Sequence, residues 1–198
     1  MKILIATIGT RGDVQPYVAL GRALMESGNE VTICTCAHFE PFVRGYGLGY
    51  AHVTNDFIDF MHSPEGKFIL GNAGSLWETL STLTRMISKL GNLQERQMAD
   101  VWAASKESDP DLILYHPKAL GAPDFAEKLG VPCMLAFWLP LYVPTTRFPA
   151  MGFPELPLGP GYRWLTYQLI RRILLMMSKK VREWRTQNGL GPRSPGLR

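Results

Sequence analysis

A Rossmann-like parallel α/β sheet with helices on both faces is what this sequence predicts, on three observations. The chain opens with a continuous apolar run, Ile3 to Ile8, as expected of a strand covered on both sides. The run stops at a glycine-rich turn, Gly9-Thr10-Arg11-Gly12-Asp13, after which Val14, Val18, Leu20, Ala23 and Leu24 recur at helical spacing up to Gly28. That is a strand, a turn and a helix, the first half of a βαβ unit. Strand-like and helix-like segments then keep alternating, which implies parallel pairing.

The elements follow in order. Glu30 to Thr35 is rich in β-branched residues and reads as the second strand. Phe39 to Tyr46 reads as a short helix closed by Gly47, and Gly49 to Val53 as a short third strand. Residues 54–74 hold Asp56, Asp59, His62, Pro64 and three glycines and read mostly as loop. Ser75 to Lys106 has Leu76, Leu80, Leu83, Ile87 and Leu90 at three- and four-residue spacing, with a break into two helices expected at Gly91-Asn92. Asp111 to Tyr115 reads as the fourth strand, Ala119 to Leu129 as a helix closed by Gly130, and Pro132 to Phe137 as the fifth strand. Residues 139–161 hold six prolines and three glycines, too many for regular structure, and Tyr162 to Arg185 reads as one long helix.

The 198 residues suit one domain with a sizeable core. The domain is expected over 1–161, with 162–185 as its C-terminal helix and 186–198, which has the composition of a linker, leading away from it. The net charge of +4 is uneven: residues 162–185 carry seven Lys/Arg against Glu183 alone, and the first 161 residues sum to −4. A generally basic nucleic-acid-binding domain is therefore not expected. No uninterrupted apolar run approaches the ~20 residues of a membrane span, and the N-terminus reads directly as a strand rather than a signal peptide. A cytoplasmic location is expected. Cys34 and Cys36, two apart on one strand, and the lone Cys133 form neither a disulfide framework nor a zinc motif. His38, His52 and His62 lack metal-ligand spacing, so no metal site is expected.

Ligands of open α/β sheets bind outside the carboxyl ends of the strands. The first turn puts Asp13 and Arg11 there. The turn lacks the third glycine of GxGxxG, and no GxxxxGK[ST] occurs. With no Tyr-x-x-x-Lys pair either, a small NAD-dependent reductase is disfavoured. Read from residues alone, Asp13 suits a helix cap, with Pro16 in a first helical turn. A base is the other reading, and one residue can do both. The amides of Thr10, Arg11 and Gly12 suit either phosphate binding at a helix start or a tight turn.

Gly9-Thr10-Arg11-Gly12-Asp13-Val14-Gln15-Pro16 resembles the first-loop signature of the GT-B glycosyltransferases that glucosylate sterols and antibiotic aglycones. Asp111 to Pro117, Gly121 to Pro132, and Pro140 with Thr145 to Pro149 extend the likeness, which runs from Lys2 to about Gly191. The resemblance implies the N-terminal, acceptor-binding half of an inverting hexosyltransferase. Asp13 would be the general base. Thr10, Arg11 and Gly12 would face the diphosphate of a UDP- or TDP-hexose, a donor substrate; no cofactor is implied. A C-terminal donor domain has no counterpart in this sequence, so the isolated chain is expected to be inactive. The alternative is a non-enzymatic acceptor-binding or anchoring subunit of a split glycosyltransferase.

The implied acceptor is an apolar hydroxyl-bearing molecule: a sterol, a lipid or a polyketide-like aglycone. Such an acceptor needs an apolar pocket, for which Met61, Trp77, Phe137, Trp138 and Leu139 are candidates, with Phe57, Phe60 and Met86 beside them. His116, just past the fourth strand, reads as a structural or acceptor-lining residue. The helix 162–185 reads chiefly as a packing element, with peripheral membrane contact as the competing reading.

Overall fold

A computed structural model of the chain describes residues 1–63, 76–137, 143–150 and 153–192, the side chains of 76–90 and 173–177 excepted. Five strands, β1 (Lys2–Ala6), β2 (Glu30–Cys36), β3 (Gly49–Val53), β4 (Leu112–Tyr115) and β5 (Cys133–Leu135), form one sheet in the order β3-β2-β1-β4-β5. Every pairing is parallel; Ile5, for example, lies beside Ile33 on one side and Leu114 on the other. Ile3, Leu4, Ile5 and Ala6 of β1 are all buried, although successive side chains point to opposite faces. Both faces are therefore covered, which accounts for the unbroken apolar run.

Helix α1 (Arg11–Glu26) connects β1 to β2 and buries Val14, Tyr17, Val18 and Gly21. A β-carbon on Gly21 would lie 3.2–3.3 Å from side-chain atoms of Ile33, Leu48 and Val31, so α1 rests closely on the sheet there. A 3-10 turn (Ala37–Phe39) and α2 (Glu40–Arg44) replace the single short helix expected at 39–46. Helix α3 (Asp56–His62) lies where loop was expected; Ile58, its buried residue, joins the main core.

Helix α4 (Leu76–Glu107) is continuous, so the expected break at Gly91-Asn92 does not occur. Glycine in a helix costs only ~1 kcal/mol relative to alanine, and Leu93, Met98, Val101 and Ala104 just beyond it are buried along one face. Helix α5 (Ala122–Leu129) starts three residues later than expected, because residues 116–122 first make two turns, Ala119 N–H to His116 O and Ala122 N–H to Ala119 O. It ends on left-handed Gly130 (φ 72°), as expected. β5 is shorter than expected, and α6 (Gly159–Gln187) is longer at both ends.

The chain forms two compact units. One comprises Met1–Ile58, Leu93–Phe137 and Lys180–Arg198, the other Asp59–Asn92 and Trp138–Lys179. The first holds the sheet and a ring cluster of Trp102, Phe125 and Trp184 with centroids 4.7–5.5 Å apart. It also buries Arg185, which the basic run 162–185 presented as one more solvated charge. Its guanidinium meets Asp124 at 2.7 Å, Glu127 at 2.6 Å and the carbonyl of Gly191. In the second unit, the Ala150 N–H donates to Thr166 Oγ1 and the Tyr162 hydroxyl to the Pro154 carbonyl, both at 2.8 Å. Among the described residues, no helix is long and apolar enough to cross a membrane.

Candidate active site

The strand order reverses between β1 and β4, and at such a switch point the loops leaving neighbouring strands part to open a crevice. Two loops leave the carboxyl ends there: Gly9–Asp13 after β1, and His116–Lys118 after β4. Both lie within the first unit.

Asp13 is the centre of the cluster. Thr10, not Asp13, is the N-cap of α1, and Asp13 occupies the third helical position. Its carboxylate reaches back one turn. Oδ2 accepts the Thr10 N–H at 2.8 Å, the Thr10 hydroxyl at 3.1 Å and the Lys118 ammonium at 2.9 Å. Oδ1 faces His116 Nε2 at 3.4 Å. The Asp13 main-chain carbonyl accepts the hydroxyl of the fully buried Thr7 at 2.8 Å, which pins the first turn of α1 to the end of β1. Pro16 lies inside α1 rather than in its first turn.

Burial alone would push the Asp13 carboxyl up. The hydrogen bonds from His116 and Lys118, the Lys118 charge and the Thr10 N–H outweigh it and hold the group well below the usual carboxylate range. Asp13 is thus a fixed anion. Tyr17, one helical turn on, is raised by burial and by that anion. Its hydroxyl donates to the Ala136 carbonyl.

The turn's glycines differ in purpose. Gly9 has φ +152°, and a β-carbon there would lie 2.6 Å from that of Asp13 and nearer still to its carboxyl. Only glycine leaves room for the anion. At Gly12 a β-carbon would meet the Thr10 hydroxyl at an ordinary contact distance of 3.8 Å. The N–H groups of Arg11 and Gly12, in the first turn, have no intrahelical partner. The Thr10 N–H, expected to face a phosphate, is already given to Asp13.

His116 is buried, 2% exposed. Its Nδ1 accepts the Lys118 N–H at 3.1 Å, and its ring meets the edges of Tyr17 and Phe137 with centroids 5.9 and 5.8 Å away. Phe137 thus touches the cluster through His116. Phe57, on α3, lies 5.2 Å from the Lys118 ammonium. Met61 is half-buried and belongs to the second unit. Trp138 and Leu139, and the side chains of Trp77 and Met86, lie outside the described residues.

Lys118 and Tyr17 were not singled out by sequence. Tyr17 carried a usable signal, since it follows Asp13 by four residues and shares its helix face. Lys118 carried only its position just past a strand. A small niche beside Lys118 is lined by Ile8, Gln97, Met98, Val101 and Phe125. Gln97 is buried, and its Nε2 has no hydrogen-bond partner among the described residues.

Residues 3–147 match the model of the glycosyltransferase family 28 N-terminal domain. The chain belongs to this family. It is 33% identical over 192 residues to a sterol 3-beta-glucosyltransferase of Candida albicans, covering 93% of this chain and 12% of that protein. A sterol 3-beta-glucosyltransferase of Emericella nidulans is 32% identical over 201 residues, covering 100% of this chain and 13% of its own length. The chain thus spans a small part of the curated relatives it matches. Its fold is shared with the glycosyltransferase SsfS6 of Streptomyces sp. SF2575, at a TM-score of 0.59 and 21% identity over 98% of this chain and 49% of that one. The parallel sheet is that of the N-terminal half of a GT-B fold, as the first-loop resemblance implied.

Proposed function

We propose that this domain is the acceptor side of an inverting glycosyltransferase that moves a hexose from a nucleotide-sugar to a hydroxyl of an apolar acceptor, with a separate donor-binding domain holding the nucleotide. The observation that carries the reading is the Asp13 carboxylate, held ionised at the switch point by donors from two loops. The names of the sequence relatives make a sterol the first acceptor to try.

In this mechanism the acceptor oxygen attacks the anomeric carbon, the bond from that carbon to the diphosphate oxygen breaks, and the acceptor proton passes to Asp13. Attack opposite the leaving group inverts the anomeric centre. The free N–H groups of Arg11 and Gly12 and the positive end of α1 favour the diphosphate, whose charge grows as it leaves. Phe57 and Phe137 supply apolar surface beside the base. Membrane contact through 162–185 is secondary.

The test is the intact protein that carries this domain, given UDP-glucose or TDP-glucose and a sterol. Transfer with a β-glucoside product, read from the anomeric proton coupling, is the expected result. An α-glucoside would overturn the inverting mechanism. No transfer with either donor, by protein shown to bind the sterol, would overturn the enzymatic reading.

A further inference from the structure

We infer that His116 is a positioning residue for Asp13, a neutral hydrogen-bond donor that helps to fix the carboxylate so that Oδ1 is the atom that takes the acceptor proton. The inference rests on the glycosyl-transfer reading above and assigns its proton path to single atoms.

The tautomer follows from the partners. The Lys118 main-chain N–H points at Nδ1, so the lone pair of Nδ1 is used and the ring proton is on Nε2. That proton faces Asp13 Oδ1. The reverse tautomer would set an N–H against an N–H at Nδ1 and a lone pair against a carboxylate at Nε2, unfavourable at both ends. In the tautomer present, neither nitrogen offers a free lone pair to a substrate hydroxyl. His116 therefore does not act as the base, although histidine is the commonest residue in that role.

The two carboxylate oxygens are unequal. Oδ2 accepts from Thr10 N, Thr10 Oγ1 and Lys118 Nζ, which leaves no room for another donor. Among the described residues, Oδ1 has the His116 contact alone. The 3.4 Å separation is long, as catalytic hydrogen bonds often are before the substrate arrives. The ring is held edge-on between Tyr17 and Phe137, and Tyr17 is itself tied to the Ala136 carbonyl. Three strand ends, those of β1, β4 and β5, thus converge on the orientation of one carboxylate. The charged and titratable groups facing it are His116, Lys118 and Tyr17.

The experiment compares His116→Gln with His116→Phe in the intact protein. A glutamine amide can replace the Nε2–H donor, whereas phenylalanine keeps the ring edges and removes the donor. His116→Gln should keep kcat within about tenfold of the parent. His116→Phe should lose ~10²-fold in kcat, the scale of general base catalysis, with acceptor KM little changed and the acid limb of its pH profile moved to higher pH. Equal, near-complete loss in both variants would make His116 the base itself. Parent-like kcat and pH profile in His116→Phe would reduce it to packing. An NMR readout separates this inference from the function it builds on: the 15N shifts of His116 should show a protonated Nε2, and the Asp13 Cγ titration should move up in His116→Phe. Those signals stand without any sugar transfer; an Nδ1–H tautomer, or an unmoved Asp13 titration, would overturn the positioning role.

Discussion

The carboxyl of Asp13 fills the volume that a side chain on Gly9 would need. The glycine thus shapes the candidate site as well as the turn. Gly9→Ala forces either the loop or the carboxylate to move. The alanine also meets a backbone angle, φ +152°, that costs it ~1–3 kcal/mol. Transfer by the intact protein should fall by ~10²-fold or more, as when a general base is displaced, while a cooperative melt persists at a lower temperature. Unchanged turnover would separate Gly9 from the chemistry.

Asp13→Asn keeps size and some capping ability but removes basicity. Turnover should fall ~10²-fold or more, while a cooperative melt persists at a lower temperature at neutral pH, since the anion and its donors stabilise the fold. Near-parental kcat would leave Asp13 as a helix-capping residue only.

Acid stability gives a second test of the same residue. The folded Asp13 carboxyl titrates below its unfolded value, so folding favours the anion. Its contribution is complete above the unfolded pKa of ~3.9 and is lost as pH falls from there through the folded value. The melting-temperature gap between the parent and Asp13→Asn should narrow from pH 5 to below pH 3. A constant gap across that range would deny the anion its stabilising donors.

Arg185 lies 4% exposed against an Asp124 that is fully buried. Removing one partner of a buried pair costs ~3–5 kcal/mol, since the other charge is left uncompensated. Arg185→Met should lower the urea midpoint by a corresponding amount, and Asp124→Asn should restore part of it. A loss below 1 kcal/mol would show that water reaches the pair.

The helix α6 also bears on membranes. Lys180 meets Glu95 at 2.9 Å and Glu183 at 3.6 Å, and Arg163 meets Glu155 at 2.6 Å, so part of the local positive charge is neutralised within the chain. The protein should sediment weakly with anionic vesicles, and changing Arg171, Arg172, Lys179 and Lys180 to Gln should barely matter. Strong, salt-sensitive binding lost in that variant would favour membrane docking, at about 1 kcal/mol per basic residue.

Short-range physics explains what the sequence made legible. The Ile3–Ile8 run, the glycine turn and the helix after it are local patterns, and they placed β1, the turn and α1 where the structure has them. The cap assignment missed by three positions, because Thr10 and Asp13 both suit a helix start and only the backbone decides. Gly91 suggested a break that packing of Met98 and Val101 overrides. Lys118 and Arg185 were missed for one reason: their partners lie 105 and 61 residues away, and no periodicity announces such a pair.

The close seating of α1 at Gly21 couples distant parts of this domain like a lever on its fulcrum. Asp13 is eight residues from Gly21, ~12 Å along a rigid rod. A spacer thicker by one methyl at Gly21 would raise the rod from β2 and tilt its far end. Thr7, Lys118 and His116 are fastened to the sheet, so the anion would shift relative to all three at once. The alignment of the Asp13 carboxylate is therefore set partly by the thickness of a residue eight positions along the helix.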